Sequence, residues 1–325
     1  MVESNTAGGI VSRILITGGA GFIGSNLARS ALLDSTVKEV TVFDDLSIGL
    51  LGNLEGLDVE FIEGSVLDPG ALDRAMAGRD AVVHLAALPS VPRSLDDPVA
   101  SHHANATGTL MVLDAARRHD VGHILVASSS SVYGMNPALP KPELTWTRPM
   151  SPYAASKLAS EAYALAYQAS FGLPTLAFRF FNVFGPGQRH DHAYAAVIPR
   201  FVHAALHRQP VLVHGDGTQS RDFTYVGTVC QVILDALRRK VHHPHPVNLA
   251  FGARVNLLQV LDELAEVLGR PIERQFGPSR TGDVPHSLAD NSTLRELFPD
   301  LAPVDRCQGL RITAEWMAGR PSRDR

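Results

Sequence analysis

Short apolar runs rich in β-branched residues alternate with helix-length segments through the first 181 residues. The runs read RILIT at 13–17, EVTVFD at 39–44, VEFIEG at 59–64, AVVHLA at 81–86, HILVASS at 123–129 and TLAFRFF at 175–181. Strands that are separated by crossover helices pair in parallel and are covered by those helices on both faces. The alternation therefore predicts an α/β fold built on a doubly wound parallel sheet.

The pattern changes after Phe181, where loops become longer and richer in Pro and Gly. One further strand is expected at VLVHG (211–215), with helices near 228–240, 256–268 and 306–318. We expect a flexible tail at residues 1–11, the doubly wound domain at 12–181, and a smaller α/β unit at 182–325, part of which returns to the sheet.

Composition narrows the class of protein. The chain has 325 residues, is 45% hydrophobic and 19% charged, and carries a net charge of −4 with both signs interspersed. No basic field is available for a nucleic-acid backbone or an anionic membrane. No apolar run reaches the roughly 20 residues of a membrane span, and MVESNTAGG lacks the features of a signal peptide. With only Cys230 and Cys307, and no metal or redox spacing between them, we expect a cytoplasmic protein.

The first strand is followed by a glycine-rich turn that opens a helix. Gly18, Gly21 and Gly24 have the spacing of the dinucleotide fingerprint, in which the backbone approaches a pyrophosphate at a helix N-terminus. Asp44 ends the second strand, twenty residues after Gly24, where its carboxylate can accept hydrogen bonds from the adenosine ribose and repel a 2′-phosphate. These features predict a Rossmann-type domain that binds NAD rather than NADP.

A second group of polar residues follows the fifth strand. VASSSSVYG (126–134) supplies hydroxyl groups, and SPYAASK (151–157) opens a helix with Tyr153 and Lys157 four residues apart. Residues at i and i+4 share one helical face, so the ammonium can stabilise a phenolate whose ordinary pKa is about 10. Tyr153 is thus a candidate general base.

Several motifs in order carry a resemblance to a known family over nearly the whole chain. They are TGGAGFIG (17–24), HLAA (84–87), SSSSVYG (128–134), SPYAASK (151–157), RFFNVFGPG (179–187), GDGTQSRDFTYV (215–226) and GDVPHSLAD (282–290). The chain resembles the extended short-chain dehydrogenase/reductase enzymes that modify nucleotide-sugars. The smaller unit would then be the substrate-binding unit, and helices near 100–118 and 153–170 would form a homodimer interface.

The resemblance assigns roles to individual residues. It implies a catalytic set of Ser129, Tyr153 and Lys157. The implied NAD contacts are Gly18, Gly21, Phe22, Ile23, Gly24, Asp44, Asp45, Leu46, Ser47, Gly49, Ser65, Val66, Leu85, Ala86, Ala87, Asn105, Tyr153, Lys157 and Phe181. The implied substrate contacts are Ser130, Ser131, Asn182, Ala196, Val197, Arg221, Arg280, Asp283 and Ser287. Ser65 is a departure, because relatives usually carry Asp there, near the adenine.

The reaction is inferred from what the serine segment lacks. Relatives that eliminate water or carboxylate typically carry an acidic residue or an acidic pair where this chain has Ser130 and Ser131. Elimination needs a group that moves a proton at the carbon next to C4. The sequence therefore favours 4-epimerisation, in which C4 is oxidised and then reduced on its other face.

The resemblance points to a UDP-sugar. Ser287 lies where epimerases restricted to glucose and galactose carry a bulky aromatic residue, which leaves room for an N-acetyl group at C2. UDP-GlcNAc/UDP-GalNAc or UDP-Glc/UDP-Gal are the expected substrates, with UDP-glucuronate as an alternative. A nucleotide-sugar dehydratase or oxidoreductase, and a NAD-binding regulatory protein, remain competing hypotheses. The histidines at 190, 192, 242, 243 and 245 are expected in solvated loops, so no metal site is predicted.

Overall fold

A computed structural model describes residues 11–192, 194–278 and 286–319. Within it the chain forms two compact units. Unit 1 comprises the described parts of Met1–Ser128, Ser151–Phe178 and Cys230–Val247, and unit 2 those of Ser129–Met150, Arg179–Val229 and Asn248–Arg325. Of the tail predicted at 1–11, all but Val11 lies outside the described residues. None of the described helices is both long and apolar enough to cross a membrane.

The elements follow one another in the alternating order that the sequence predicts. The described strands are β1 (Arg13–Thr17), β2 (Glu39–Asp44), β3 (Glu60–Glu63), β4 (Ala81–His84), β5 (Ile124–Ser129), β6 (Thr175–Phe180), β7 (Val183–Phe184), β8 (Val211–His214), β9 (Ser220–Asp222), β10 (Thr224–Tyr225), β11 (Val247–Leu249), β12 (Arg254–Asn256) and β13 (Arg274–Gly277). The described α-helices are α1 (Phe22–Leu32), α2 (Pro69–Met76), α3 (Val91–Asp96), α4 (Pro98–His102), α5 (Gly108–Arg118), α6 (Pro152–Phe171), α7 (Val197–Leu206), α8 (Val226–Arg239), α9 (Leu257–Leu268), α10 (Ser292–Leu297) and α11 (Arg306–Ala318).

The main sheet has the strand order β11-β6-β5-β4-β1-β2-β3. β1 pairs in parallel with both β2 and β4, so the chain crosses over between β3 and β4 and the order reverses at this point. Open α/β sheets bind ligands outside the carboxyl ends of the strands at such a switch point. The topology therefore predicts that a ligand binds at the loops that follow β1, β2 and β4.

Burial explains why these runs form strands. Leu15, Val82 and Val126 on neighbouring strands are at most 1% exposed and share one core with Met76 of α2 and Leu113 of α5. Burying each such side chain stabilises the fold by about 1.5–3 kcal/mol. The core thereby holds the strand ends, and the loops that leave them, in a fixed arrangement.

Helix α6 begins at the residues that its N-terminal capping pattern predicts. Ser151 is the N-cap, its Oγ accepting a hydrogen bond from the backbone N–H of Ala154 at 3.1 Å, and Pro152 occupies the first turn. The helix ends at Phe171 and is capped by Gly172, which adopts a left-handed conformation (φ 67°). These boundaries put Tyr153 in the first turn and Lys157 one turn later.

Unit 2 has its own apolar core between short strand pairs and helices. β7 pairs with β10, β9 with β12, and β8 with β13. Val202 of α7, Val213 of β8, Leu261 of α9 and Leu310 of α11 are fully buried in this core. Helices and short strands thus both contribute apolar side chains to this core.

The predicted doubly wound fold is confirmed, and its six predicted strands agree with the structure to within two residues at each end. Two features of this domain were not located from the sequence. β11, which belongs to the part of the chain expected to return to the sheet, adds a seventh strand, and the helix expected near 100–118 is interrupted by a π-helical turn at His103–Thr107. A strand of three residues is too short to show a period, and a π-turn has no sequence signature of its own.

Candidate active site

The glycine-rich turn between β1 and α1 is tightly constrained. Gly18 has a positive φ of 71°, and a Cβ built on it would lie only 2.6 Å from the backbone nitrogen of Ala86. A Cβ on Gly24 would lie 2.4 Å from the carbonyl oxygen of Gly18. Both positions therefore require glycine, one for the turn and one for close packing of helix against turn.

The space in front of α1 suits a pyrophosphate. Gly21 is the N-cap of the helix, no side chain in the described part of the chain caps it, and Phe22 and Ile23 form the first turn. A Cβ on Gly21 would meet one atom within 4 Å, the Gly18 carbonyl oxygen at 3.1 Å, so a side chain there would extend into open space. An uncapped helix N-terminus with open space before it binds anions through its backbone N–H groups.

Asp44 organises the loop that follows β2. Its Oδ2 accepts a hydrogen bond from the N–H of Ala20 at 3.0 Å, and its Oδ1 accepts one from Leu46 at 2.9 Å. Burial raises the pKa of Asp44, while these two donors oppose the shift. A Cβ on Gly49 would lie 2.8 Å from Oδ1, so the loop closes around the carboxylate. The same loop contains Asp45 and Ser47, whose N–H donates to Asp45 Oδ1 at 3.0 Å.

Other residues predicted to contact the cofactor follow β3 and β4. Ser65 Oγ accepts from the N–H of Leu67 at 3.2 Å, and Val66 is buried. The N–H of Leu85 donates to the carbonyl of Thr17 at 3.0 Å, which ties the segment Leu85, Ala86 and Ala87 to the end of β1. The structure thus brings the loops after β1 and β4 together at one edge of the sheet.

Asn105 is fully engaged with protein groups. Its Oδ1 accepts from the N–H of Leu88 at 2.7 Å, and its Nδ2 donates to the Leu88 carbonyl at 3.2 Å and to Ser156 Oγ at 2.9 Å. The residue is 0% exposed. Both amide protons are used, so the side chain holds the loop after β4 against helix α6.

A buried polar network that the sequence did not reveal continues from this point. The His84 ring lies between Thr17 Oγ1 at 2.7 Å and Thr109 Oγ1 at 2.9 Å. Thr109 in turn contacts Ser160 Oγ on α6 at 3.0 Å. Burial, together with the positive charge of Lys157, lowers the pKa of His84 to about 3, so the ring is neutral. The network links β1, β4, α5 and the helix that carries Tyr153.

Tyr153 and Lys157 lie on one face of α6, with Tyr153 half-buried. Lys157 is 5% exposed, and its Nζ donates to the carbonyl of Ala127 on β5 at 2.8 Å. Burial lowers the pKa of Lys157 to about 8. An ammonium of this pKa is still mostly protonated at pH 7, fixed in place, and able to stabilise a nearby phenolate.

The serine segment that follows β5 belongs to unit 2 from Ser129 onwards. Ser129 ends β5, and its Oγ accepts from the backbone N–H of Ser131 at 3.2 Å and from Ser131 Oγ at 2.9 Å. Ser130 opens a 3₁₀ turn that ends at Tyr133. Phe181, predicted to contact the cofactor, is 0% exposed, and its ring centroid lies 6.2 Å from that of Tyr133.

Unit 2 contains a cavity of about 230 Å³. Four residues predicted to contact substrate line it, namely Asn182, Ala196, Val197 and Arg221. Sequence reasoning missed the polar residues that complete its lining, which are Gln188, Arg200, His214 and Gln219. Ser287 lies beside the strand that carries Arg221, its N–H donating to the Ser220 carbonyl at 3.0 Å. The predicted Arg280 and Asp283 lie outside the described residues.

Asp222, next to Arg221, joins three segments of unit 2. It is 0% exposed, and its Oδ2 accepts from the N–H of Gly252 at 3.1 Å and of Ala289 at 3.2 Å. Burial raises the pKa of Asp222 to about 6, against the opposing effect of these donors. The carboxylate holds the 250–253 loop and the segment carrying Ser287 against strand β9.

Asp222 should make stability depend on pH. Because its folded pKa of about 6 exceeds the ordinary value, the folded state takes up a proton more readily than the unfolded state. The resulting stabilisation is fully present below about pH 4 and is lost as pH rises through about 6. Relative to Asp222→Asn, the wild type should therefore lose about 1–2 kcal/mol of unfolding free energy between pH 5 and pH 7.5. Urea unfolding of both proteins measures this, and a difference that stays constant with pH contradicts it.

Comparison with known proteins agrees with this geometry. The model of the NAD dependent epimerase/dehydratase family matches residues 14–250. The UDP-glucose 4-epimerase of Mycolicibacterium smegmatis is 33% identical over 314 residues, which cover 95% of this chain and 99% of that protein.

Two solved structures extend the likeness to three dimensions. A UDP-N-acetylglucosamine 4-epimerase from Methanobrevibacter ruminantium, in complex with UDP-N-acetylmuramic acid, has a TM-score of 0.88 and 34% identity, covering 94% of this chain and 98% of that one. The UDP-glucose 4-epimerase of Thermus thermophilus, in complex with NAD, has a TM-score of 0.85 and 34% identity, with coverage of 94% and 99%. The predicted enzyme class and cofactor are confirmed, and the chain belongs to the NAD-dependent epimerase/dehydratase family.

Proposed function

We propose that this protein catalyses the NAD-dependent 4-epimerisation of a UDP-sugar through a transient 4-keto intermediate. The observation that carries the proposal is that the chain has both a Tyr153–Lys157 face on α6 and a serine segment, Ser129 to Ser131, that contains no acid. The first feature supports oxidation at C4. The second favours return of the hydride over elimination at the neighbouring carbon, because elimination needs a proton-transfer group there.

The residues around the turn suit NAD. The open space before the uncapped N-terminus of α1 accepts a pyrophosphate, and the Asp44 carboxylate has lone pairs left for the two ribose hydroxyls and repels a 2′-phosphate. When bound, NAD supplies the acceptor for the hydride from C4 and returns it. The dinucleotide is regenerated in each cycle, so net consumption of NAD is not expected.

The chain's own residues handle the proton and the charge. Tyr153, as phenolate, takes the proton of the 4-hydroxyl while the C4–H bond breaks, leaving a 4-keto sugar, and gives the proton back when C4 is reduced from its other face. Lys157, fixed by the Ala127 carbonyl, stabilises the phenolate. Ser129 donates a hydrogen bond to the O4 atom, where negative charge develops.

The unit 2 cavity is proposed to hold the nucleotide. Arg221 lines it, and a guanidinium fork suits diphosphate oxygens. Ser287, a small residue on the segment beside Arg221, leaves room at C2 of the sugar, which supports UDP-GlcNAc/UDP-GalNAc or UDP-Glc/UDP-Gal as substrates. UDP-glucuronate is the alternative for the same reason.

Arg221→Ala should raise KM for the UDP-sugar by about 10- to 100-fold, since a charge-assisted hydrogen bond contributes about 1.5–3 kcal/mol. Its kcat should fall much less, because the diphosphate is remote from C4. Arg254→Ala is the matched control: Arg254 contacts Ser220 Oγ at 2.8 Å from the neighbouring strand and does not line the cavity. Steady-state kinetics of both variants test whether Arg221 contacts the diphosphate. Equal KM values in the two variants would reject this assignment.

A homodimer in the cytoplasm is proposed on the same resemblance. Phe171 at the end of α6 is 56% exposed, with the Arg117 guanidinium of α5 at 5.0 Å from its ring centroid. An exposed aromatic residue on this helix pair is suited to a subunit interface. Light scattering on the purified protein tests the dimer, and a monomer at micromolar concentration rejects it.

The function is tested by incubating the purified protein, without added NAD, separately with UDP-glucose, UDP-N-acetylglucosamine and UDP-glucuronate. Proton NMR of the anomeric region should show a new galacto-configured signal with at least one of them. A keto or unsaturated product would instead indicate a dehydratase or an oxidoreductase. No change even after NAD is supplied would favour a binding protein that has kept the fold without the chemistry.

A further inference from the structure

Among the described residues, Ser131 alone forms hydrogen bonds with the hydroxyl of Ser129. Its Oγ accepts one hydrogen bond from the backbone N–H of Ser131, at 3.2 Å, and a second from the Ser131 hydroxyl, at 2.9 Å. A serine oxygen has two lone pairs and one proton. When Ser131 donates through both its N–H and its hydroxyl, both lone pairs of Ser129 Oγ are occupied, and the hydrogen-bonding capacity left to Ser129 is donation of its proton.

The backbone around this pair is rigid. Ser129 is the extended N-cap (φ −148°) of the 3₁₀ turn Ser130–Tyr133, and the N–H of Gly134 closes the turn on the Ser131 carbonyl at 3.1 Å. Tyr133 at the end of the turn is 1% exposed, and its hydroxyl donates to Asn248 Oδ1 at 2.6 Å. Ser131 is therefore held relative to Ser129 by the hydrogen bond that closes the turn and by the buried Tyr133 at its end.

We propose that Ser131 is a positioning residue that makes Ser129 an obligate hydrogen-bond donor toward the O4 atom of the substrate. This rests on the proposed 4-epimerase function. In this arrangement the lone pairs of Ser129 are filled, so it donates to the sugar, and its proton points away from Ser131. Two donated hydrogen bonds also polarise the Ser129 O–H group, which makes it a stronger donor to the charge that develops on O4.

The proposal differs from the role that family resemblance implies for Ser131, which is direct contact with the sugar. A sugar contact acts mainly on binding, whereas a positioning residue acts on the reacting step. The two roles therefore predict different effects of a substitution: a change in KM for a sugar contact and a change in kcat for a positioning residue. A purely structural role would instead lower thermal stability and leave both kinetic parameters of the folded protein unchanged.

The test is the steady-state kinetics of Ser131→Ala and Ser131→Thr on whichever UDP-sugar the wild type epimerises. Ser131→Ala should lower kcat about fivefold, the size expected for one hydrogen bond, with KM within twofold and an unchanged melting temperature. Ser131→Thr retains the hydroxyl and should restore kcat to within twofold of the wild type. Raised KM with unchanged kcat in Ser131→Ala would overturn the proposal in favour of a sugar contact, and so would unchanged kinetics or failure of the Thr variant to recover. A wild type without epimerase activity would be the failure of the proposed function instead.

Discussion

Tyr153→Phe should lower kcat by about 10²- to 10⁴-fold, the usual contribution of a positioned general base. The ring is kept, so the fold and NAD retention should be unaffected. The reason for the large effect is that Lys157, held at the Ala127 carbonyl, stabilises a phenolate for which phenylalanine has no substitute. Initial rates with the UDP-sugar substrate, and the NAD content of the denatured protein, measure the two parts of this prediction.

Tyr163→Phe offers a matched control on the same helix. Tyr163 is 39% exposed and lies about three turns from Tyr153, outside the proposed site, so its variant should retain activity within twofold. Activity of Tyr153→Phe within a few-fold of the wild type would mean that another group removes the proton from the 4-hydroxyl.

Gly18→Ala should produce the largest loss of stability and cofactor binding among single methyl additions in the turn. At φ 71° a Cβ is strained, and it would also lie 2.6 Å from the Ala86 nitrogen, an atom of the backbone that cannot move aside. We expect a loss of about 3 kcal/mol or more in unfolding free energy, with little NAD retained after purification. Chemical denaturation and cofactor analysis provide the measurements.

The Gly56→Ala variant separates the effect of backbone strain at positive φ from the effect of steric overlap with neighbouring atoms. Gly56 has nearly the same φ, 74°, but a Cβ there would meet no atom of the described residues within 4 Å. The Gly56→Ala substitution should therefore lower the unfolding free energy by about 1 kcal/mol, which is the cost of backbone strain alone. It should leave NAD binding intact. Equal losses in the two variants would show that contact with the loop after β4 contributes nothing to the requirement for glycine at position 18.

The sequence predicted the features that depend on the pattern of neighbouring residues along the chain. Buried parallel strands such as β1 and β2 read as continuous apolar runs, and Tyr153 and Lys157 share a face because a helix has a fixed period. The family resemblance then assigned these residues to one predicted active site.

Contacts between distant residues could not be predicted in the same way. Asn105 and Ser156 are 51 residues apart, and nothing in either segment indicates that an amide proton joins them. Neither His84 nor Asp222 stands out in the sequence, and their pKa values shift mainly because several elements bury them in the fold. Three adjacent serines likewise give no indication of which hydroxyl donates and which accepts.

The most direct test of the proposed 4-epimerase is to run the reaction to equilibrium in D₂O and examine the product by NMR and mass spectrometry. Hydride that leaves C4 and returns within the protein does not exchange with solvent. The product should therefore carry protium at C4 and at every other ring carbon, with an unchanged mass apart from exchangeable positions. Deuterium at C4 or C5, or loss of one water from the sugar, would contradict the proposal.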